Sequence, residues 1–387
     1  MPLTCISKKR VLVNNSLLRL HACGQSIWLD SLSRHLIRGG GLKRLVDSDG
    51  VSGVTSNPSI FEKALAEGDA YDSDIQKLRE KVPTAAEVFQ ALAIRDIQDA
   101  ADILRPVFDR TGGIDGYVSI EVSPGLAHST DATIHEARSL WFAVERPNVM
   151  IKIPGTQAGV PAIERCIMDG LNINITLLFG LERYRQVTEA YLRGLELRAE
   201  KGGDLHHVRS VASFFLSRID VLIDPKLSGI AQGAGEKAQA AKELQGRVAI
   251  ASAKIAYQMY QEIFLSERFR KLEKLGARKQ WLLWASTGTK NKQDSDVKYI
   301  EPLIGPETIN TMPMETIDAY RDHGDPAPRL DQGVDEAREV LQKLAAVGID
   351  LDQMTQRLED EGVEKFIKAF DTLIAQLEQK LAPMPAG

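Results

Sequence analysis

The chain has 387 residues, 43% hydrophobic and 26% charged, with a formal net charge of −5. That balance is ordinary for a globular protein with a sizeable core, and it argues against a nucleic-acid-binding surface as the main function. No run is long and apolar enough to cross a bilayer. Cys5, Cys23 and Cys166 form neither a paired framework nor a metal-ligand spacing, which fits a reducing cytoplasm.

Before Asp30 there is no acidic residue, while Lys8, Lys9, Arg10 and Arg19 are basic. Residues 1–15 read as a disordered leader ahead of a single domain over 16–387. Ser16 is placed to cap a short helix, and a strand over Ser26–Asp30 follows. Ser52–Ser59 reads as a second strand broken at Asn57-Pro58, before helical patterns to Phe108 with caps at Asp69 and Thr84. The third strand is Gly116–Ser123, then a helix over Thr130–Val144 leads to a fourth strand, Val149-Met-Ile-Lys-Ile153, stopped by Pro154-Gly155. Beyond a helix over Val160–Gly170 come a fifth strand, Asn172–Phe179, a helix over Leu181–Lys201, and a sixth strand, Arg209–Phe215, closed by Ser217-Arg218. Asp224–Gly246, with Gly229, Gly233 and Gly235, reads as an insertion or loop, followed by one long helix to about Leu272. Gln280–Ser286 and Thr308–Met312 are the seventh and eighth strands, and Asp322–Gly333 is a polar loop. In the final helix Val363, Phe366, Ile367, Phe370, Leu373, Ile374, Leu377 and Leu381 make one apolar stripe, a docking surface rather than a cofactor site.

Eight short strands alternating with helices predict a (β/α)8 TIM barrel with additional helices, in one domain. An open doubly wound sheet would want a glycine-rich turn after its first strand, and none is present. Gly288-Thr-Lys290 lacks the upstream glycine and following Ser/Thr of a nucleotide loop.

Strand alternation carries the functional signal. Ser119, Glu121 and Ser123 share one face of the third strand, opposite Val118, Ile120 and Val122; Asn172, Asn174 and Thr176 share one face of the fifth, opposite Ile173, Ile175 and Leu177. Trp28 and Asp30 lie together, as do Thr55 and Asn57, and Lys152 lies with Met150. Barrel interiors are usually branched aliphatic, and unpaired polar groups are costly to bury. An interior bringing together Asp30, Asn57, Glu121, Lys152, Asn174 and Thr176 near the carboxyl ends of the strands is built around a polar ligand.

Desolvation favours the neutral form of a lysine, the form that attacks a carbonyl, although a strand-end lysine reaching solvent is the ordinary alternative. A buried lysine with two carboxylates supplies a Schiff-base carbon–carbon lyase or transferase: an amine for the iminium, and acids and bases to move protons. The seven histidines end no inner strand face, so no metal site is expected. His323 between Asp322 and Asp325, and adjacent His206 and His207, read as solvated surface. For an anionic handle the candidates are Arg218 with Ser213, and Lys290 after Ser286.

Taken in order, Ile27–Asp30, Gly53–Phe61, Val149–Pro154, Asn172–Phe179, Ser210–Arg218 and Trp284–Lys290 resemble the motifs of transaldolase, with the longer bacterial form the nearest match; the likeness runs from about Leu17 onward. The resemblance implies a pentose-phosphate-pathway transferase acting on phosphorylated sugars. Lys152 would form the Schiff base, Asp30 would take the hydroxyl proton, and Glu121 would shuttle protons through a water held by Thr176. Asn57 and Asn174 would hold donor hydroxyls, with Arg218, Ser213, Ser286 and Lys290 around the phosphate. Smaller relatives have Arg shortly after Ala-Ser on the seventh strand, where this chain has Thr287-Gly-Thr-Lys290. Trp28 would shape the site wall or pack in the core. No cofactor, metal, nucleic acid or membrane is implied, and a monomer or homodimer is expected in the cytoplasm. The alternatives are a Schiff-base sugar-phosphate aldolase, a non-catalytic sugar-phosphate-binding barrel, and a scaffold resting only on the C-terminal apolar helix.

Overall fold

The eight β-branched and aliphatic runs form strands β1 Gln25–Leu29, β2 Gly53–Val54, β3 Tyr117–Glu121, β4 Val149–Pro154, β5 Ile173–Leu178, β6 Ser210–Phe215, β7 Trp281–Ala285 and β8 Thr308–Met312. Each pairs in parallel with the next and β8 pairs with β1, closing the barrel in chain order. This is a computed structural model, and it describes residues 15–79, 82 and 84–382. Most of the expected leader, residues 1–14, lies outside the described residues.

Outward-facing Ile27, Leu29, Val118, Ile120, Val149, Ile151, Ile153, Ile173 and Ile175 are all buried beneath the surrounding helices. Burial of each such side chain contributes about 1.5–3 kcal/mol, so the aliphatic face commits every strand to one orientation. The inner faces are thereby fixed by default. In the ladder Glu121 stands opposite Lys152, and Lys152 opposite Asn174. Partners in a parallel ladder project to the same side, so these three polar groups share one level of the barrel.

Lower in the barrel Trp28 is fully buried against Gly53, where an added Cβ would lie 2.3 Å from the indole Cε2. Its Nε1 donates to Asp115 Oδ1 at 2.8 Å. Trp28 therefore fills the amino-terminal half of the barrel rather than walling the carboxyl-end cavity. Gly53→Ala is expected to destabilise the fold by about 1–3 kcal/mol through overpacking. Urea titration checks this, and an unchanged midpoint would mean that the indole yields freely.

Local signals set several boundaries. Thr84 and Glu87 form a reciprocal capping box at the start of the helix Ala85–Arg110. Asn15, one residue before the expected cap, accepts from Leu17 N and starts the helix Ser16–Ala22. The expected loop Asp224–Gly246 is instead largely helical, in Ser217–Ala231 and Glu236–Leu244. Pro225 is tolerated there because the carbonyl it strands, four residues back, belongs to solvent-exposed Val221. The single long helix to Leu272 is two, Val248–Phe264 and Glu267–Lys274, because Ser266 accepts from Phe269 N and restarts the chain.

The apolar stripe of the last helix, Leu351–Leu381, docks on the chain's own barrel. It packs against the helices Pro58–Ala66 and Ala85–Arg110. Phe61, Phe89 and Phe370 meet edge to face at centroid distances of 5.4 and 5.6 Å. A half-buried ion pair, Arg183 Nε to Glu359 Oε2 at 3.0 Å, and the close passage of Gly362 over Leu177 fix the helix across the carboxyl end of the barrel. Leu177 has φ 56° beside a register irregularity in β5, a conformation disfavoured for a branched side chain.

Candidate active site

At the carboxyl ends of the strands a cavity of about 290 Å³ is bordered by Asp30, Asn57, Lys152, Ser213, Arg218, Ser286 and Lys290, all named from the sequence. Glu121, Asn174 and Thr176 lie beneath or beside it, buried in the wall. The structure also brings in residues that the sequence did not assign to the site: Thr55, Lys63, Thr311, Glu315 and Phe366.

Lys152 is 4% exposed, yet its Nζ reaches the cavity. Nζ donates to Ser56 O at 3.1 Å and lies 3.3 Å from Glu121 Oε2. Phe366 of the last helix sits over it, with Nζ 5.9 Å from the ring centroid. Burial pushes the Glu121 carboxyl above its ordinary value, Lys152 opposes that, and Asp30 adds to it. A carboxyl raised this way can hold a proton beside the amine and give it up, which is what stepwise iminium formation requires.

Neither Glu121 oxygen has a well-formed hydrogen bond, and Thr176 Oγ1 is likewise buried without a partner. Register puts Thr176 opposite Pro154, two residues beyond Lys152. These two orphaned groups flank the level of the Lys152 amine.

Asp30 is held differently. Thr55 Oγ1 donates to Asp30 Oδ1 at 2.8 Å, so the hydroxyl of Thr311, 2.9 Å away, is the donor to Thr55. The chain Thr311–Thr55–Asp30 orients one carboxylate oxygen and leaves the other for the cavity. Asn174 is locked from both sides: its Nδ2 donates to Ser119 Oγ at 2.9 Å and its Oδ1 accepts from Ser213 Oγ at 2.7 Å. The single Ser213 proton is thus spent on Asn174, and Ser213 offers the cavity only lone pairs. Asn57 Oδ1 accepts from Ile60 N, capping the helix Pro58–Ala66 and leaving its amide nitrogen for the cavity. Ser286 Oγ is paired with Ser217 Oγ at 2.9 Å, and Ser286 itself has φ 55°.

The Arg218 guanidinium is largely buried over Phe215, 5.5 Å from the ring centroid, and its NH1 has no hydrogen-bond partner. Burial pulls it below the usual arginine value. Arg218, Lys290 and Lys63 line the cavity with no carboxylate within ion-pair distance among the described residues. With Lys152 set against Glu121, these three cations face the lining acids Asp30 and Glu315, so the cavity has an excess of positive charge that suits a phosphate dianion.

Sequence comparison bears on the same residues. A family model described as transaldolase/fructose-6-phosphate aldolase matches residues 27–377. A transaldolase of Thiobacillus denitrificans is 49% identical over 354 residues, covering 92% of this chain and 97% of the relative. Transaldolases of Trichodesmium erythraeum and Thermobifida fusca are 48% and 45% identical, each over 96% of this chain and 98–99% of their own length. The chain belongs to the transaldolase/fructose-6-phosphate aldolase family. For a member of this family the contribution of Phe366 had a visible signal: its place in the apolar stripe. Which surface that stripe covers was not visible. Thr55 and Thr311 carried only their inward alternation, and Lys63 had no signal beyond lying on the helix that Asn57 caps.

Proposed function

We propose that the chain is a Schiff-base transaldolase of the pentose phosphate pathway, moving a dihydroxyacetone unit from sedoheptulose 7-phosphate or fructose 6-phosphate to glyceraldehyde 3-phosphate or erythrose 4-phosphate. The observation that carries the mechanism is the buried Lys152–Glu121 pair opening onto a cavity with Asp30 and unpaired Arg218. Lys152 attacks the ketose carbonyl. Glu121, its carboxyl kept protonatable by burial, gives a proton as the carbinolamine loses water, through a water molecule bound to Thr176 Oγ1. Asp30, oriented by Thr55, takes the hydroxyl proton as the carbon–carbon bond breaks. The first product leaves as an aldose phosphate, and the enamine on Lys152 then attacks the incoming aldehyde. Hydrolysis reverses the first half and returns the amine. Asn57 and Asn174 hold hydroxyls of the donor, while Arg218 and Lys290 take the phosphate with Ser286 beside them; Ser213, its proton given to Asn174, can only accept from a substrate hydroxyl. The iminium itself is the electron sink, so these steps call for no cofactor. Catalysis in the cytoplasm by a monomer or homodimer completes the reading.

Borohydride trapping with fructose 6-phosphate, followed by mass spectrometry of the Lys152 peptide, tests it. A reduced dihydroxyacetone adduct on Lys152 supports the reading; an active sample that gives none removes it. Analysis for free dihydroxyacetone, with and without aldehyde acceptor, separates transfer from the aldolase alternative.

Glu121→Gln is expected to lower kcat by about 10²–10⁴, the range for loss of a general acid–base group. The raised carboxyl binds protons more tightly folded than unfolded, so its burial costs stability as pH rises from the ordinary carboxylate value to the raised one. Denaturation of Glu121→Gln across that window should show the fall removed, while an identical pH dependence would place the titration elsewhere.

Phe366→Leu, which keeps most of the packing, should raise the fraction of turnovers that release dihydroxyacetone, since water then reaches the enamine. An unchanged product ratio would mean that the acceptor, not the ring, excludes water.

A further inference from the structure

A second cavity, about 360 Å³, opens at the amino-terminal end of the barrel, on the far side of Trp28 from the catalytic groups. Its walls are aromatic: Trp28, Tyr117 and Trp281, with Met150 and Val211 between them. Its polar side is made by Arg209 and Arg278. Arg209 is only 7% exposed, and among the described residues no carboxylate lies within ion-pair distance of it. Its guanidinium donates instead to the carbonyls of Gly113, His206 and Val208. Burial pulls it below the usual arginine value, and the neighbouring Arg278 charge pulls it the same way.

Two arginines that repel one another across a cavity, one buried and, among the described residues, neither with a carboxylate at ion-pair distance, leave a positive field unspent. Among the described residues the acids nearby make no ion pair with either arginine; buried Asp115 accepts from Trp28 Nε1 and Gly116 N. Glu307 is held by Lys279, 2.8 Å from each oxygen, and by Tyr260 at 2.9 Å. Glu273, on the rim, makes no ion pair with either arginine. His206 is turned to Asp204.

We propose that this cavity binds a small aromatic or heteroaromatic anion, its ring against the half-buried Trp281 and its carboxylate or phosphate on Arg209 and Arg278. Ring stacking on indole and a charge-assisted guanidinium contact are the two interactions that the walls offer. The site is independent of the sugar-phosphate cavity, although it shares strands with it: Trp28 precedes Asp30, and Met150 precedes Lys152, by two residues on the same inner faces.

The test is titration of intrinsic tryptophan fluorescence with phenyl phosphate, with inorganic phosphate as the anion-only probe. Saturable quenching is expected, weakened tenfold or more by Arg278→Ala, a rim substitution that leaves the fold and turnover of fructose 6-phosphate unchanged. Trp281→Leu should weaken it similarly, and Arg218→Ala should leave it unaltered. Affinity that survives both Arg278→Ala and Trp281→Leu, or is lost with Arg218→Ala, would overturn the proposal, the latter by placing the probe in the sugar-phosphate cavity. Equal affinity for inorganic phosphate would overturn the aromatic ligand class.

Discussion

Replacing Lys152 with alanine is expected to lower turnover of fructose 6-phosphate by roughly four orders of magnitude or more, the scale on which removal of a covalent nucleophile acts. No neighbouring amine can substitute, because Lys63 and Lys290 line the rim of the cavity and are exposed, whereas Lys152 rises from its wall. The fold should survive. Glu121 loses the one cation close to it among the described residues, but burial already raises its carboxyl, and it meets the loss by taking up a proton. The variant therefore carries a signature beyond inactivity. Its stability holds at low pH and falls further than that of the parent as pH climbs towards the raised carboxyl value, because the ionised form now has no partner. Initial rates, borohydride labelling and urea denaturation at several pH values measure all three effects. Near-normal activity in a folded variant would sink the Schiff-base mechanism.

Arg218→Met is expected to move function and stability in opposite directions. Losing a charge-assisted contact to phosphate should raise KM for fructose 6-phosphate about 10- to 150-fold, equivalent to about 1.5–3 kcal/mol, with a smaller effect on kcat. Without substrate, however, this guanidinium is a desolvated cation with an unsatisfied buried NH1, lying over Phe215. Methionine retains the apolar contact and removes the orphaned donors, so the free protein should gain about 1–3 kcal/mol. Saturating inorganic phosphate should stabilise the parent but not the variant, by ordinary linkage. If the variant were less stable in the absence of anion, Arg218 would be a structural residue with a different partner.

The barrel and most of its interior were legible because one physical constraint, the aliphatic outer face, decides both. Once Val118, Ile120 and Val122 must meet helices, Ser119, Glu121 and Ser123 have nowhere else to point, and the same holds for Asn174 and Thr176. Lys152 followed by the same alternation. What was not legible depends on contacts between distant segments. The helices within 217–244 hide behind Pro225 and three glycines, which read locally as breakers; exposure of Val221 makes the proline tolerable. Trp28 lies one step of alternation below Asp30, and only the missing side chain of Gly53 gives the indole its place. The stripe of the last helix announced a docking surface without naming what it covers, and so Phe366 went unassigned. Ser213 was grouped with the phosphate from its position, whereas its proton is given to Asn174.

The seating of the last helix also has a consequence for biosynthesis. Asp30, Lys152, Arg218 and Lys290 leave the ribosome in that order, and Phe366 follows them all. Strand β8, which closes the barrel against β1, also precedes the helix that roofs it. On the proposed mechanism, a nascent chain would thus acquire its reactive amine, its proton-transfer groups and its anion handle before the ring that would keep a carbanion equivalent from water. A polypeptide arrested in that interval would be a leaky lyase if it closed its barrel at all. The aromatic trio of Phe61, Phe89 and Phe370 and the Arg183–Glu359 pair are the contacts that end the interval, because each joins the late helix to a segment already in place.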